Sequence, residues 1–364
     1  GCDGRALPLA IVQSVVLTAS ALLIRGDSPW VYLTAFVLAL SLSWGATPVA
    51  RRAALKLNLF DHPGERKLHG EPIPYLGGLA IILAFGITVV AGAVIGGVSG
   101  SYSQIAVLIG GGLALAAMGL WDDLRVVPGW VKVPLEILLG AALFLAGSRA
   151  ELFGVWPLDL VLTLAWVIGI TNAVNYMDNM DGLSAGTVVI AAGYFLFLAA
   201  LTGQVLVAGL SAALAGCALG FLWHNRPPAR IYMGDFGSLF FGFLLAGLGL
   251  ELHFDNIRQV TFFVPVAILA IPILDALLVS VSRVKRGLSP IHPGRDHLSH
   301  RLVALGLPPN AAVGLLYFAG LSSGWLGVVI AYARPGTAYM IMAWMIVVGS
   351  FAGVMMLKLD PRLH

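Results

Sequence analysis

Residues 159–202 read DLVLTLAWVIGITNAVNYMDNMDGLSAGTVVIAAGYFLFLAALT. Two apolar runs, 159–177 and 183–202, are each long enough to cross a bilayer as a helix. They meet at a polar stretch, Asn172 to Ser184, which sets Asn172, Asn175, Asp178 and Asp181 at three-residue steps. In a chain only 11% charged this is a dense concentration of polar groups. A three-residue step advances about 300° on an α-helix, so Asn172 and Asn175 can be neighbours, whereas Asp181 would point away from Asn172 on an unbroken helix. The first helix is therefore expected to end near Asp178, with Gly182 as the break before the second.

Working outward, the whole chain looks the same. Its 364 residues are 59% hydrophobic, with mean hydropathy +0.92, more apolar surface than soluble cores of this length can hide. The expected fold is an all-α integral membrane protein, a polytopic bundle of about 11–12 transmembrane helices, read as a single transmembrane domain over 1–364. Candidate spans fall at 7–24, 30–50, 77–98, 104–120, 130–147, 159–177, 183–202, 204–223, 236–252, 260–282, 311–333 and 337–357. The 7–24 run also fits a signal peptide or signal anchor; its flank lacks a small-x-small cleavage site, so it is expected to be retained as an extra N-terminal span. Cys2 and Cys217 are too few and too far apart for a disulfide framework or a cysteine zinc site.

Alternating spans put 51–76, 121–129, 178–182, 224–235, 283–310 and both termini on one side. Of the 21 Lys and Arg, only Arg25, Arg149, Arg258 and Arg334 fall on the other, leaving 17 on or beside the first. Positive charge marks the cytoplasmic side. That side also collects Asp122, Asp123, Asp178, Asp181, Asp235 and Asp275 at or just inside helix ends, where an acid at membrane depth is costly and marks function.

Each acid also has a plainer reading. Capping explains Asp181 and Asp235 as readily as chemistry does, although Gly234 and Gly237 beside Asp235 suit close approach of an anion. Asp122 and Asp123 close a helix C-terminus, where negative charge opposes the macrodipole, and they repel each other without a cation. Asn172 and Asn175 read either as amides pairing packed helices or as site residues. Lys132 and Glu136 are spaced as an ordinary ion pair, with Lys132 also a candidate phosphate contact. Asp275 is expected to support the site or to face a hydrated cleft, near a kink at Pro272. The loop RVKRGLSPIHPGRDHLSHRL offers His297, His300 and Arg301 as an anion clamp or a basic face for headgroups; the first large loop offers Lys67. Carboxylates and amides with basic loops suit a magnesium–diphosphate site and phosphoryl chemistry on a membrane-embedded acceptor.

RKLHGEPIPYLGG, WDDLR, NAVNYMDNMDGL, MGDFGS and RDHLSHRL, in this order and topology, closely resemble the polyprenyl-phosphate N-acetylhexosamine-1-phosphate transferases over about residues 30–330. The resemblance implies transfer of a sugar 1-phosphate, in the N-acetylglucosamine branch, from a UDP-N-acetylhexosamine to undecaprenyl phosphate. UMP is released and Mg2+ is required, with Mn2+ as its substitute. It implies a bacterial inner membrane enzyme with a cytoplasmic site, feeding polymers such as lipopolysaccharide, teichoic acid or peptidoglycan. Position by position, Asp122 and Asp123 match paired acids beside the lipid phosphate, one a candidate base, and Asp178 and Asp181 match the acidic motif of the catalytic centre. Asp235 matches the metal-binding acid and Asn175 a second ligand. Lys67 falls in the basic first-loop motif and His297, His300 and Arg301 match the loop that holds the sugar diphosphate, so these are implied substrate contacts; Asn172 and Lys132 are expected as further ones from their own positions. Ser299 stands where the GlcNAc-1-phosphate transferase pattern HxHH has a histidine, and the triple histidine of the peptidoglycan translocase is missing, which disfavours a UDP-MurNAc-pentapeptide donor.

The implied step is attack of a lipid phosphate oxygen on the sugar-bearing phosphorus, with a covalent aspartyl route as the rival. Expected partners are membrane lipids and the two substrates, with no nucleic acid; a homodimer is the oligomer carried forward. A multi-pass ion- or proton-coupled transporter is the alternative, opposed by acids gathered at one face rather than midplane and by the lack of evident broken-helix repeats.

Overall fold

The computed structural model describes residues 29–61, 72–96, 102–125, 127–289 and 294–358. The 7–24 run and Lys67 lie outside them. Thirteen helices and one two-residue ribbon make up the described residues. They are α1 Pro29–Lys56, β1 Phe60–Asp61, β2 Ile73–Pro74, α2 Gly77–Gly96, α3 Tyr102–Leu124, α4 Gly129–Ala146, α5 Trp156–Tyr176, α6 Leu183–Leu201 and α7 Val205–Asn225. Then follow α8 Gly234–Glu251, α9 Arg258–Ile268, α10 Ala270–Lys285, α11 Leu298–Ala304, α12 Pro309–Tyr332 and α13 Pro335–Lys358. Ten are long and apolar enough to cross a membrane. The protein is thus an all-α polytopic membrane protein.

The expected span 260–282 is not one straight helix. It is the pair α9 and α10, bent by 75° at Leu269. Pro272 has no N–H to donate to the preceding turn and so cannot carry the helix across that point, which places the break three residues earlier than the expected kink.

Within the bundle, α8 is the central element. Some 83% of its spanning window is buried, against 6% for α13, whose side chains face outward almost all round. In lipid, helices gain little by hiding apolar groups from one another, so close packing depends on small residues at the crossings. Gly119 of α3 shows this: a Cβ there would run into the backbone of Asp235 and Phe236. The α3 C-terminus therefore meets the α8 N-terminus directly. The helix break between α5 and α6 falls as the three-residue geometry requires. Backbone helix ends at Tyr176, and Gly182 adopts φ +77°, left-handed backbone that favours glycine. Gly182 N–H donates to Asn225 Oδ1 (3.0 Å) and its carbonyl accepts from Tyr317 Oη (2.6 Å), so the turn is clamped from both sides.

Replacing Gly119 with Ala is expected to push α3 and α8 apart, costing about 1–3 kcal/mol. A thermal melt of the detergent-solubilised variant reads the loss; a midpoint equal to that of the parent would show that this crossing has slack.

Candidate active site

One end of the bundle gathers the β1–β2 ribbon, the end of α3, the 177–182 turn, the 226–234 loop, the 294–300 loop and the start of α12. Together they line a cavity of about 1220 Å³. Asp123, Asn175, Asp178, Asp181, Asp235 and His300 all lie on its wall.

The wall is built on the first turn of α8, whose amides have no partner within the helix. Asp123 supplies one from another helix: its carboxylate accepts the N–H of Asp235 at 3.0 Å and of Phe236 at 3.1 Å. The opposing dipole at the end of α3, which made a structural role for Asp123 look weak, is outweighed by the favourable N-terminus of α8. Asp122 faces elsewhere, accepting the N–H of Val127 at 2.6 Å and pairing with Lys132. Lys132 also reaches Asp235 Oδ2 at 2.5 Å. Asn175 donates to Asp235 Oδ1 (2.9 Å) and Ser238 Oγ (2.8 Å). Asp122, Lys132, Asp235 and Asn175 thus form one network contributed by α3, α4, α5 and α8.

Several sequence expectations change here. Lys132 does not pair with Glu136; its charge goes to Asp122 and Asp235. Glu136 is fully buried one turn deeper, where both its oxygens accept from Asn172 Nδ2 at 2.9 Å. Asn172 therefore joins α5 to α4 beneath the cavity, off the cavity lining, and is not placed to touch a substrate. The helix-pairing reading holds for it, because an ionisable group buried this deep needs a partner. Capping also fails to account for Asp181. No side chain caps α6, and Asp181 instead accepts from the N–H of Ala229 (2.8 Å) and Tyr232 Oη (3.3 Å), holding the 226–234 loop against the turn. Asp235 sits inside the first turn of α8 rather than at its cap.

Asp178 differs from its neighbours. It faces the cavity, and no hydrogen bond or ion pair holds its carboxylate among the described residues. Burial first, then the charges of Asp235, Asp123 and Asp181, push that carboxyl up to about 8. A site that collects this much negative charge on hard oxygen donors suits a divalent cation. No three His, Cys, Asp or Glu side chains among the described residues form a metal cage of their own. Mg2+ characteristically completes its shell with water and substrate phosphates, so Asp178 and Asp235, with the Asn175 amide beside them, are a fitting donor set.

The 294–300 loop separates into one cavity residue and several braces. His300 lines the cavity; burial, then the neighbouring His297 and Arg295, hold its imidazole down to about 4, so it is neutral at pH 7. His297 is buried, with Nδ1 2.8 Å from Asp275 Oδ2, while Asp275 Oδ1 accepts the N–H of Leu298 at 2.6 Å. Asp275 is therefore a support for the loop. Arg301 is corrected as a substrate contact: it is 1% exposed and its guanidinium is spent on the protein. It donates to Asp296 O (2.8 Å), Met356 O (2.7 Å) and Ser282 Oγ (2.8 Å), tying the loop to α10 and α13. Arg283 and Arg286 hold Asp296 at 3.0 and 2.6 Å. Sequence reasoning missed Asn179, whose Oδ1 accepts from Ser299 Oγ at 2.6 Å and whose Nδ2 donates to Tyr176 O. It also missed Tyr75, which lines the cavity and donates to Asp123 O at 2.8 Å; single loop residues of these types carry no spacing signal.

Since Arg301 satisfies three acceptors in the interior, Arg301→Ala should cost several kcal/mol, about 3–5 as for a broken buried charged group. His300→Ala should leave the melt close to the parent. Equal stability of the two variants would assign Arg301 to the surface.

Glycosyl transferase family 4 matches residues 105–253. A Bacillus subtilis protein named "Probable undecaprenyl-phosphate N-acetylglucosaminyl 1-phosphate transferase" is 32% identical over 298 residues, 79% of this chain and 82% of that one. The decaprenyl-phosphate N-acetylglucosaminephosphotransferase of Mycolicibacterium smegmatis is 32% identical over 347 residues, 84% of each chain. The undecaprenyl-phosphate alpha-N-acetylglucosaminyl 1-phosphate transferase of Escherichia coli is 25% identical over 299 residues, 78% of this chain and 80% of its own. With most of both chains aligned at 32% identity, this chain belongs to the polyprenyl-phosphate N-acetylhexosamine-1-phosphate transferases.

Proposed function

We propose that this protein transfers N-acetylglucosamine 1-phosphate from its UDP-sugar to undecaprenyl phosphate and releases UMP. The observation that carries this reading is the open carboxylate of Asp178 in one cavity with Asn175 and Asp235, which Lys132 and Asp122 hold from behind its wall. A diphosphate brings the charge that such a site lacks, and phosphoryl transfer asks a protein chiefly for positioning and charge compensation. The sequence bias that assigns 17 of 21 Lys and Arg to or beside the side of loops 121–129, 178–182 and 224–235 supports a cytoplasmic site in a bacterial inner membrane.

In the step proposed, an oxygen of the lipid phosphate forms a bond to the sugar-bearing phosphorus of the donor. The bond from that phosphorus to the bridging oxygen breaks, and UMP leaves with the electron pair. A phosphate monoester with a second pKa of about 6 is already largely dianionic at neutral pH, so no base is needed to create the nucleophile. This suits the engagement of Asp122 by Lys132 and of Asp123 by the α8 amides, which leaves neither as a free base or nucleophile. Asp123 keeps Asp235 at the cavity wall, and Lys132, behind that wall, offsets the charge of Asp122 and Asp235. His300, as a neutral imidazole, donates or accepts a hydrogen bond at the donor end of the cavity. Mg2+, or Mn2+ in its place, held by Asp178 and Asp235 with Asn175, would supply neutralisation of the diphosphate.

The test is UMP release by purified protein given undecaprenyl phosphate, Mg2+ and a panel of UDP-sugars. UDP-N-acetylglucosamine is expected to give UMP, EDTA to stop it and Mn2+ to restore part of it. Asp178→Asn and Asp235→Ala are each expected to lower turnover by roughly 10²–10³-fold or more. No UMP with any UDP-sugar would overturn the reaction, and metal-independent turnover would overturn the metal assignment.

A further inference from the structure

The reaction proposed above gives Glu136 no part, yet this acid is kept fully buried within a helix long and apolar enough to cross the membrane. A leucine would fill such a position without withdrawing a carboxylate from water, so what the acid adds is a bond with a direction. Both of its oxygens lie 2.9 Å from Asn172 Nδ2. The same amide donates to Ile168 O on its own helix at 2.9 Å, which fixes how Asn172 is turned. This bond is the middle one of three contacts at one-turn intervals along α4. Residues four apart share a helix face, so Lys132, Glu136 and Gly140 fall on one side. At the deepest of the three, a Cβ on Gly140 would lie 3.0 Å from Leu164 Cδ2 and 3.5 Å from Val167 Cβ, so glycine lets α4 and α5 come close. One turn up, Glu136 meets Asn172. One turn further, Lys132 of α4 and Asn175 of α5 reach the two oxygens of Asp235, at 2.5 and 2.9 Å.

On the reading of the reaction given above, we propose that Glu136 is a positioning residue: through Asn172 it sets the register of α4 against α5, and so brings Lys132 and Asn175 onto Asp235 together. The upper contact cannot set that register by itself, because Asp235 belongs to a third helix, α8. A slip of one residue between α4 and α5 displaces their ends by about 1.5 Å, enough to take a donor out of hydrogen-bond range. Gly140 permits close approach, but contacts between aliphatic carbons have no donor and acceptor to align. The carboxylate–amide bond has both. A single polar pair in an apolar helix interface fixes register in coiled coils in the same way, and it gives up some stability to do so. Glu136 lies off the cavity lining, so it acts on the site only through its neighbours.

The first readout is the reactivity of the Lys132 amine, which needs no turnover. Purified protein in detergent is labelled briefly with isotopic formaldehyde and cyanoborohydride below its melting midpoint. Mass spectrometry of its peptides then compares Lys132, 15% exposed between two carboxylates, with the exposed Lys56. Glu136→Leu fills the position and removes the acceptor, and is expected to raise the relative labelling of Lys132 by roughly fivefold or more. Asn172→Ala removes the same bond from the α5 side and should match it. Glu136→Gln keeps the length and an acceptor oxygen for Asn172, and should stay within about twofold of the parent. Turnover is the second readout. UMP release is expected to fall about 10–100-fold in the two bond-breaking variants, as when a partner supporting a site residue is lost, and to recover in Glu136→Gln. Unchanged Lys132 labelling in whichever bond-breaking variant folds overturns the proposal, since a pair that only holds the fold together would leave Lys132 in place. An equal gain in Glu136→Gln also overturns it, because the charge of Glu136 and not its bond would then restrain the amine. If neither bond-breaking variant folds, the pair is a staple of the fold and the proposal falls. A parent protein that makes no UMP sinks the reaction instead, and the labelling still decides the positioning.

Discussion

The contact between the Asp123 carboxylate and the Asp235 and Phe236 amides in the first turn of α8 is the interaction on which the rest of the cavity depends. A helix that starts at the membrane boundary must satisfy its first amides without help from lipid. Here the acceptor comes from the end of α3, 112 residues away in sequence, and Gly119 removes the side chain that would keep the two helices apart. Where they meet, the Asp235 carboxylate lies against α4 and α5. Lys132 and Asn175 then fix both of its oxygens. The concentration of negative charge is tolerable because Lys132 sits between Asp122 and Asp235 and because peptide dipoles carry Asp123.

Most of the spans among the described residues and the polar turn were legible in the sequence because each rests on local signals. Apolar length decides a span, and the three-residue step from Asn172 to Asp181 with Gly182 after it marks where the helix stops. The bend at Leu269 was less legible. Pro272 signals trouble in a helix, but where the chain turns depends on which carbonyl loses its donor and on what packs there. Asp122, Asp123, Asp178, Asp181 and Asp235 were identifiable as unusual acids, yet nothing local tells a carboxylate that caps another helix from one that faces a cavity. That difference lies between residues 48 to 112 positions apart, and spacing rules see only a few turns.

Basic residues were the harder case for the same reason. His297, His300 and Arg301 share one short motif, and a motif cannot say that the first is held by Asp275, the second lines the cavity and the third is fully enclosed. An Arg among histidines reads as an anion clamp until the acceptors around it are counted. Ser282, Asp296 and Met356 use up the guanidinium, and they come from three separate elements. The 294–300 loop owes its shape to that buried fork, so its one cavity-facing imidazole is presented by a scaffold rather than by a flexible strap.

The departure at Ser299 acquires a physical meaning on this scaffold. Its hydroxyl donates to Asn179, and Asn179 in turn holds the carbonyl of Tyr176, the last residue of α5. The loop that carries His300 is thereby fastened to the turn that carries Asp178, across the mouth of the cavity. A histidine in place of Ser299 would be a longer side chain with its donor several ångströms further from the backbone, so the two walls could not close to a 2.6 Å bond at the same separation. The short hydroxyl thereby holds the element that carries His300 against the turn that carries Asp178, and both of those residues line the same cavity.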